Sequence, residues 1–296
     1  MPEIPDLQNY LKAMESSFLD QSVDSIRVAN PFVLRTVTPT TDELVGVRVD
    51  GFTRIGKRLV ISLESRFWIS IHLMIAGRLH WRKRQASIAA RNHLLALDFA
   101  SGSLVLTEAG KKRRAAVHLF SDRSELQAMD RGGLEVFEAN ADSFRSALSK
   151  ENHTLKRALT DQRLIAGIGN AYSDEILHHA RLSPLLQTKR LTDDQWTQLW
   201  ESTRYVLELW IDRLHEETGG EFPEKVTAFH AAMAVHGKYK EPCPDCGHPV
   251  QRIRYATNEC NYCASCQNQG NLLADRALSR LLKKDWPRTL AELEEQ

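Results

Sequence analysis

The chain has 296 residues, 42% of them hydrophobic, with a formal net charge of +1. That apolar content supports a sizeable core in two domains and a smaller module. The near-neutral balance excludes a chain that is basic throughout, so any nucleic-acid surface must come from local clusters.

The opening Met-Pro-Glu-Ile-Pro-Asp has neither the basic nor the apolar region of a signal peptide. A helix is predicted from Pro5 to Phe18, because Leu7, Leu11, Met14 and Phe18 form one apolar stripe and proline suits a first helical turn. The pattern then changes to short runs rich in β-branched and aromatic residues. Strands are predicted at Phe32–Val37, Leu44–Val49, Arg58–Leu63, Phe67–Leu73, Leu94–Phe99, Ser103–Thr107 and Ala116–Phe120, with turns such as Asp50-Gly51 and Ser101-Gly102. Such a set makes a β-sandwich or barrel. Basic runs occur at Lys57-Arg58, Arg82–Arg84 and Lys111–Arg114, each of which is as readily a solvated face as a ligand surface.

Residues 122–145 read as a polar linker with a helical piece, and the chain beyond is helical. Gly167 and Gly169, within Ile165-Ala-Gly-Ile-Gly-Asn-Ala-Tyr172, suit a tight junction between helices, where backbone amides approach a phosphate. Thr192-Asp-Asp-Gln195 is a capping box opening a long helix whose Trp196, Leu199, Trp200, Val206, Leu207, Trp210 and Leu214 are core positions; Gly219-Gly220 ends it. No apolar stretch reaches membrane-spanning length, so a cytoplasmic protein without a membrane partner is expected.

All five cysteines fall near the C-terminus. Clustered CxxC pairs without a secretion signal read as zinc ligands, with a redox pair as the competing reading. Pairing Cys243/Cys246 with Cys263/Cys266 leaves 16 intervening residues, within the usual zinc spacing, while Cys260/Cys263 would leave 13. Cys243, Cys246, Cys263 and Cys266 are therefore the expected ligands of one structural Zn²⁺. Cys260 is a spare thiol, Gly247 fits the knuckle turn, and Val250–Tyr262 is the hairpin held by the metal.

Met-Pro-Glu at the start, Gly56-Lys57, His72-Leu-Met-Ile-Ala-Gly-Arg-Leu79, Leu164–Tyr172 and the cysteine finger occur in an order that resembles the formamidopyrimidine-DNA glycosylase/endonuclease VIII family over residues 1–268. The resemblance implies an α+β fold with an N-terminal β-sandwich, a helix–two-turn–helix domain and a C-terminal zinc finger. The corresponding boundaries are 1–130, 131–238 and 239–270, followed by an extension at 271–296. It also implies base-excision repair by a DNA glycosylase with AP lyase activity, acting as a monomer on double-stranded DNA with a damaged base or abasic site. Pro2, once Met1 is removed, is the expected nucleophile: a reference α-amine pKa of about 7.7–8.0 leaves part of it neutral, and the following helix lowers it further. A neutral secondary amine attacks C1′ of the sugar. Glu3 beside it shuttles protons, and Lys57 contacts the phosphate near the lesion. His72, Ile75, Arg113, Asn170, Arg254 and Asn258 are the expected DNA contacts.

The chain also departs from the family pattern. Ile75 stands where the family has a space-filling Met, and Ala115 where it has a wedge Phe, although Arg113 remains. Asn258 replaces the hairpin-tip Arg, with Arg252 and Arg254 as candidate substitutes. Asp6 replaces a Glu. The loop expected to cover the flipped base falls at Glu216–Lys225. Which base is excised stays open among oxidised purines, oxidised pyrimidines and alkylated bases. Two rival readings remain, a non-catalytic binder of damaged or abasic DNA and a zinc-ribbon transcription factor. The amphipathic run Leu272–Leu282 and Trp286-Pro287 are expected to pack on the helical domain.

Overall fold

The computed structural model describes the whole chain except residues 90, 111, 227, 256, 257, 275–286, 295 and 296. Lys111 of the third basic run, most of the amphipathic tail run and Trp286 therefore lie outside the described residues. The chain folds as two compact units, residues 1–131 with 210–227, and residues 132–209 with 228–296.

The first unit opens with α1 (Ile4–Phe18), one residue earlier than the stripe predicts. Leu7, Met14 and Phe18 are buried in the core and Leu11 packs at its margin. The helix starts where it does because Glu3 and Asp6 form a reciprocal capping box: the Glu3 side chain accepts from the Asp6 N–H, and the Glu3 N–H donates to Asp6 Oδ2 at 2.9 Å.

Eight strands follow: β1 (Ser25–Val28), β2 (Val49–Ile55), β3 (Arg58–Leu63), β4 (Phe67–His72), β5 (Gly77–Arg82), β6 (His93–Asp98), β7 (Ser103–Glu108) and β8 (Ala116–Phe120). They make two four-stranded antiparallel sheets, β1-β6-β7-β5 and β2-β3-β4-β8, the sandwich among the two expected alternatives. Leu59, Ile61, Leu63, Ile69 and Ile71 from one sheet share a core with Leu95, Leu97, Leu104 and Leu106 from the other. Phe18 of α1 stacks in it on Phe99, with ring centroids 4.4 Å apart.

Two expected strands are not strands. Within Phe32–Val37 and Leu44–Val49 the chain instead makes 3₁₀ turns at Pro31–Val33 and Asp42–Leu44. Local polar capping outcompetes apolar composition there: Asn30 accepts from the Phe32 N–H, and Glu43 accepts from the Thr40 N–H and hydroxyl. Phe32 and Val37 are left 79% and 90% exposed. Conversely, β1, β5 and all of β2 beyond Val49 arise where no strand was predicted, and Asp50-Gly51 is a bulge inside β2 rather than a turn.

After α2 (Arg123–Gln127), the second unit comprises α3 (Ala141–Ser149), α4 (Leu155–Thr160), α5 (Asn170–His179) and most of α6 (Asp193–Thr218), then the hairpin β9 (Gln251–Arg254) and β10 (Glu259–Tyr262), α7 (Ala264–Asn268) and α8 (Leu290–Glu294). The capping box forms as predicted, Thr192 and Gln195 each bonding the other's backbone N–H. The α4–α5 junction turns at Gly167 (φ +82°) and Gly169 caps α5. Gln162 knits the turn, accepting from the Gly167 N–H and donating to Ile168 O. The described part of the tail packs chiefly on the finger: Leu290 joins Ile253, Cys260, Tyr262 and Ala264, with Leu185 of the helical part at the margin.

Candidate active site and nucleic-acid interface

Residues of the first unit converge on the chain's amino end. Pro2 and Glu3 are buried, while Met1 is 37% exposed. Burial holds the Met1 α-amine below its ordinary value, Arg78 and Lys57 push it the same way, and Glu3 and Asp6 oppose them. The Pro2 nitrogen is the next backbone nitrogen along the chain, and Pro2 itself is buried. Glu3 is both N-cap of α1 and a carboxylate at this amine, a double engagement that fixes its position. Burial pushes the Asp6 carboxyl up to about 7, with the Glu3 charge adding to the rise.

Arg78, which sequence reasoning quoted but did not assign, reaches this amine and also clamps the β4–β5 turn, donating to Ile75 O at 3.1 Å and Gly77 O at 2.6 Å. Only glycine fits at Gly77, since a Cβ there would sit 2.3 Å from Leu73 O. The tight turn leaves Ile75 63% exposed at its tip. Ala115, by contrast, is buried in the sandwich core. The position of the family's wedge is thus an interior one here. Arg113 is half-buried and its guanidinium bonds Arg91 O.

His72 ends β4 close to Lys57. Burial first, then Arg58, Lys57, Arg131 and His118, hold its imidazole down at about 4 and therefore neutral. The Arg82–Arg84 run takes the bland reading: Arg82 bonds Glu224 and Arg84 pairs with Asp24 at 3.0 Å. Glu224 belongs to the segment expected to cover a flipped base. Here that segment wraps over the edge strand β5. Phe222 lies against Tyr10 and Trp81, Glu224 reaches His80 at 3.0 Å, and Val226 is in the core.

The second unit positions Asn170 at the first turn of α5. Its side chain donates to Glu259 O at 2.8 Å on the finger hairpin, and its own carbonyl accepts from Lys156 Nζ at 2.7 Å. Lys156 also pairs with Asp174 at 2.5 Å, whose other oxygen meets His236 Nδ1 at 2.8 Å and the Asn261 N–H at 3.1 Å. Glu175 accepts three backbone N–H groups, from Ala234, Val235 and His236. Sequence reasoning missed this network, since its members are spread from 156 to 261 and carry no local motif. Arg254 and Asn258 are exposed at the hairpin tip, where the Tyr255 N–H donates to Asn258 O. Arg252 is occupied: it pairs with Glu259 at 3.5 Å and lies 4.0 Å over the Tyr239 ring.

Cys243, Cys246, Cys263 and Cys266 bring their sulfurs within 4.8 Å of one another, a group that could bind a metal ion, and Cys260 stands apart from it. The Cys243–Cys266 and Cys246–Cys263 separations are 3.9 and 3.4 Å. A tetrahedron with metal–sulfur bonds of about 2.3 Å has edges of about 3.8 Å, so the spacing fits a four-thiolate site. Gly247 (φ +76°) makes the knuckle turn, its N–H donating to Cys243 O. His178 Nε2 lies 3.2 Å from Cys243 Sγ, the position of a ligand-supporting contact.

Comparison with known proteins agrees with this arrangement. The formamidopyrimidine-DNA glycosylase N-terminal domain matches residues 1–119 and the H2TH domain of the same glycosylases matches 135–219. The formamidopyrimidine-DNA glycosylase of Ureaplasma parvum is 27% identical over 90% of this chain and all of its own length. A formamidopyrimidine-DNA glycosylase-like protein of Mycobacterium tuberculosis is 37% identical over 51% of this chain and 94% of its own. Among solved structures, Lactococcus lactis Fpg bound to Fapy-dG-containing DNA superposes with a TM-score of 0.79 at 26% identity, covering 90% of this chain and 100% of that one. The chain belongs to the formamidopyrimidine-DNA glycosylase family. Among the described residues no helix is long and apolar enough to cross a membrane.

Proposed function

We propose that this protein is a base-excision DNA glycosylase with AP lyase activity, using the Pro2 amine on damaged or abasic sites in double-stranded DNA. The observation that carries the reading is the surroundings of the amino end: a desolvated amine pushed toward its neutral form, with Glu3, Asp6, Lys57 and Arg78 acting on it. Removal of Met1 turns the Pro2 nitrogen from an amide into a secondary amine. That nitrogen bonds C1′ as the glycosidic bond breaks, and the base leaves with a proton supplied through Glu3. Loss of the N–H proton and opening of the sugar, with O4′ protonated, give an iminium. The iminium acidifies C2′–H; the released electron pair expels the 3′ phosphate, and water then frees the amine.

Lys57, His72, Arg113, Asn170, Arg254 and Asn258 supply the contacts to DNA, and Ile75 fills space left by the extruded base, whose unstacking costs a few kcal/mol. One Zn²⁺ on the four clustered thiolates holds the hairpin carrying Arg254 and Asn258. The missing wedge Phe and tip Arg support an altered lesion preference.

A second reading, a non-catalytic binder of damaged DNA, describes the same chain with Met1 attached, since an amide nitrogen is no nucleophile. Nicking of an abasic-site duplex separates the two. Protein verified by mass to begin at Pro2 should cleave the strand, while Pro2→Gln protein, whose bulkier second residue leaves Met1 in place, should bind without cleaving. Equal cleavage by both would refute the proline mechanism.

A further inference from the structure

The outward face of the second sheet buries three polar atoms that have no hydrogen-bond partner: Arg58 Nη1, Ser70 Oγ and His118 Nδ1. They belong to one patch. Ser70 pairs directly with His118 across β4 and β8, and Val60 pairs with Ser70 across β3 and β4. Arg58, two residues from Val60 and at the end of the ladder beside His72, is the diagonal neighbour of Ser70. The strand period of two puts Arg58, Ser70 and His118 on the same face, opposite Leu59, Ile71 and Val117 in the sandwich core. Ser70 is fully buried, whereas Arg58 and His118 are half-buried. Buried donors are rarely left unpaired in folded proteins.

The electrostatics of the patch have one sign. Arg131 acts on Arg58; Arg58 and Arg35 act on His118; Arg58, Lys57, Arg131 and His118 act on His72. The leading charges acting on these three groups, among the described residues, are all positive. Both imidazoles are held down at about 4, by burial first, so neither adds a charge of its own at neutral pH. Leu126 and Met129 pack nearby on Val60 and Phe120, giving the niche an apolar wall. A guanidinium, a hydroxyl and an imidazole able to present N–H, partly desolvated beside further cations, match a tetrahedral oxyanion.

We propose that Arg58, Ser70 and His118 form a phosphate-binding site on the outward face of the β2-β3-β4-β8 sheet, separate from the amine chemistry at Pro2. The group bound is either a backbone phosphate of DNA or a free phosphate.

The test uses the full zinc-loaded chain with inorganic phosphate as the probe, in buffers of matched ionic strength. Phosphate should raise the melting temperature and give a binding isotherm by calorimetry. Arg58→Gln and Ser70→Ala should each weaken that binding about tenfold or more. Ser70→Ala removes only an unpaired hydroxyl, so it folds even if Arg58→Gln does not. A second arm follows duplex affinity against salt. If DNA supplies the phosphate, inorganic phosphate competes with duplex and Arg58→Gln lowers the salt slope by about 1. If the ligand is free phosphate, it binds without displacing duplex and the slope is unchanged. The proposal is overturned if wild-type protein shows no phosphate response, or if Ser70→Ala keeps the whole of it. Neither readout involves strand cleavage, so failure here leaves the glycosylase reading untouched, and failure of cleavage leaves this site standing.

Discussion

The Asp174–Glu175 pair of the second compact unit and the amino end of the first treat buried charge differently, although the first unit also holds a fully met carboxylate in Asp98, which accepts from Ser25, Arg27 and Ser103. In the second, Asp174 is met by Lys156, His236 and a backbone N–H, and Glu175 by three backbone N–H groups. In the first, Asp6 has a single backbone donor and sits at about 7, the terminal amine is driven down, and Arg58, Ser70 and His118 bury unpartnered atoms. A carboxylate with a full set of donors holds structure together and does little else. One left short of donors titrates near neutral pH, where proton transfer is useful. The Asp174 network thus holds Asn170 and the finger hairpin in place, whereas the amino end keeps a carboxyl short of donors at a cost in stability.

The largest effect expected from breaking this contrast is in the second unit. Stripping the metal from the four-cysteine group should unfold the hairpin and abolish DNA affinity, because a structural zinc contributes about 10–16 kcal/mol of apparent binding free energy. Circular dichroism and duplex titration with and without chelator check this, and an apo form that binds DNA normally would remove the finger's assigned role. Next, Lys156→Met leaves Asp174 with one imidazole and one backbone N–H but no cation, and should cost about 3–5 kcal/mol in denaturant unfolding.

Asp6→Asn tests the other side of the contrast, and its sign is opposite. The folded carboxyl titrates at about 7 against 3.8 unfolded, so between those values the native state holds more protons. Wild-type stability therefore falls as pH rises from about 4 to about 7, and the loss is complete above that window. The asparagine oxygen still accepts from the Glu3 N–H while the charge is gone. The variant should match wild type near pH 4 and exceed it at pH 8 by on the order of 2–4 kcal/mol. Unfolding midpoints across this range provide the check. The smallest effect is expected at Glu224→Gln. Its pairs with His80 and Arg82 are partly exposed, so loosening the segment over β5 should cost about 0.2–1 kcal/mol, and less at high salt.

Much of this arrangement was legible in the residues, and the reason is locality. The Leu7-to-Phe18 stripe, the Thr192–Gln195 box and the cysteine spacing each act within a few turns or one knuckle, so pattern and structure agree. Phe32–Val37 misled because apolar composition cannot reveal that Asn30 and Glu43 cap turns nearby. β5 went unseen because His80 and Arg82 alternate with Leu79 and Trp81, a surface-facing pattern that becomes a strand only against β7. The Asp174 network and the docking of Phe222 on Trp81 join residues about 90 and 140 positions apart, beyond the reach of any window used in reading a sequence. The unpaired trio at Arg58, Ser70 and His118 likewise exists only once three strands are in register.

In the proposed chemistry the Pro2 nitrogen forms the bond to sugar. Borohydride reduction during reaction with an abasic-site duplex, followed by peptide mapping of the adduct, measures it directly. A single covalent adduct is expected, on Pro2 of protein that begins at that residue. An adduct on a lysine such as Lys57, or none at all from correctly processed protein, would contradict it.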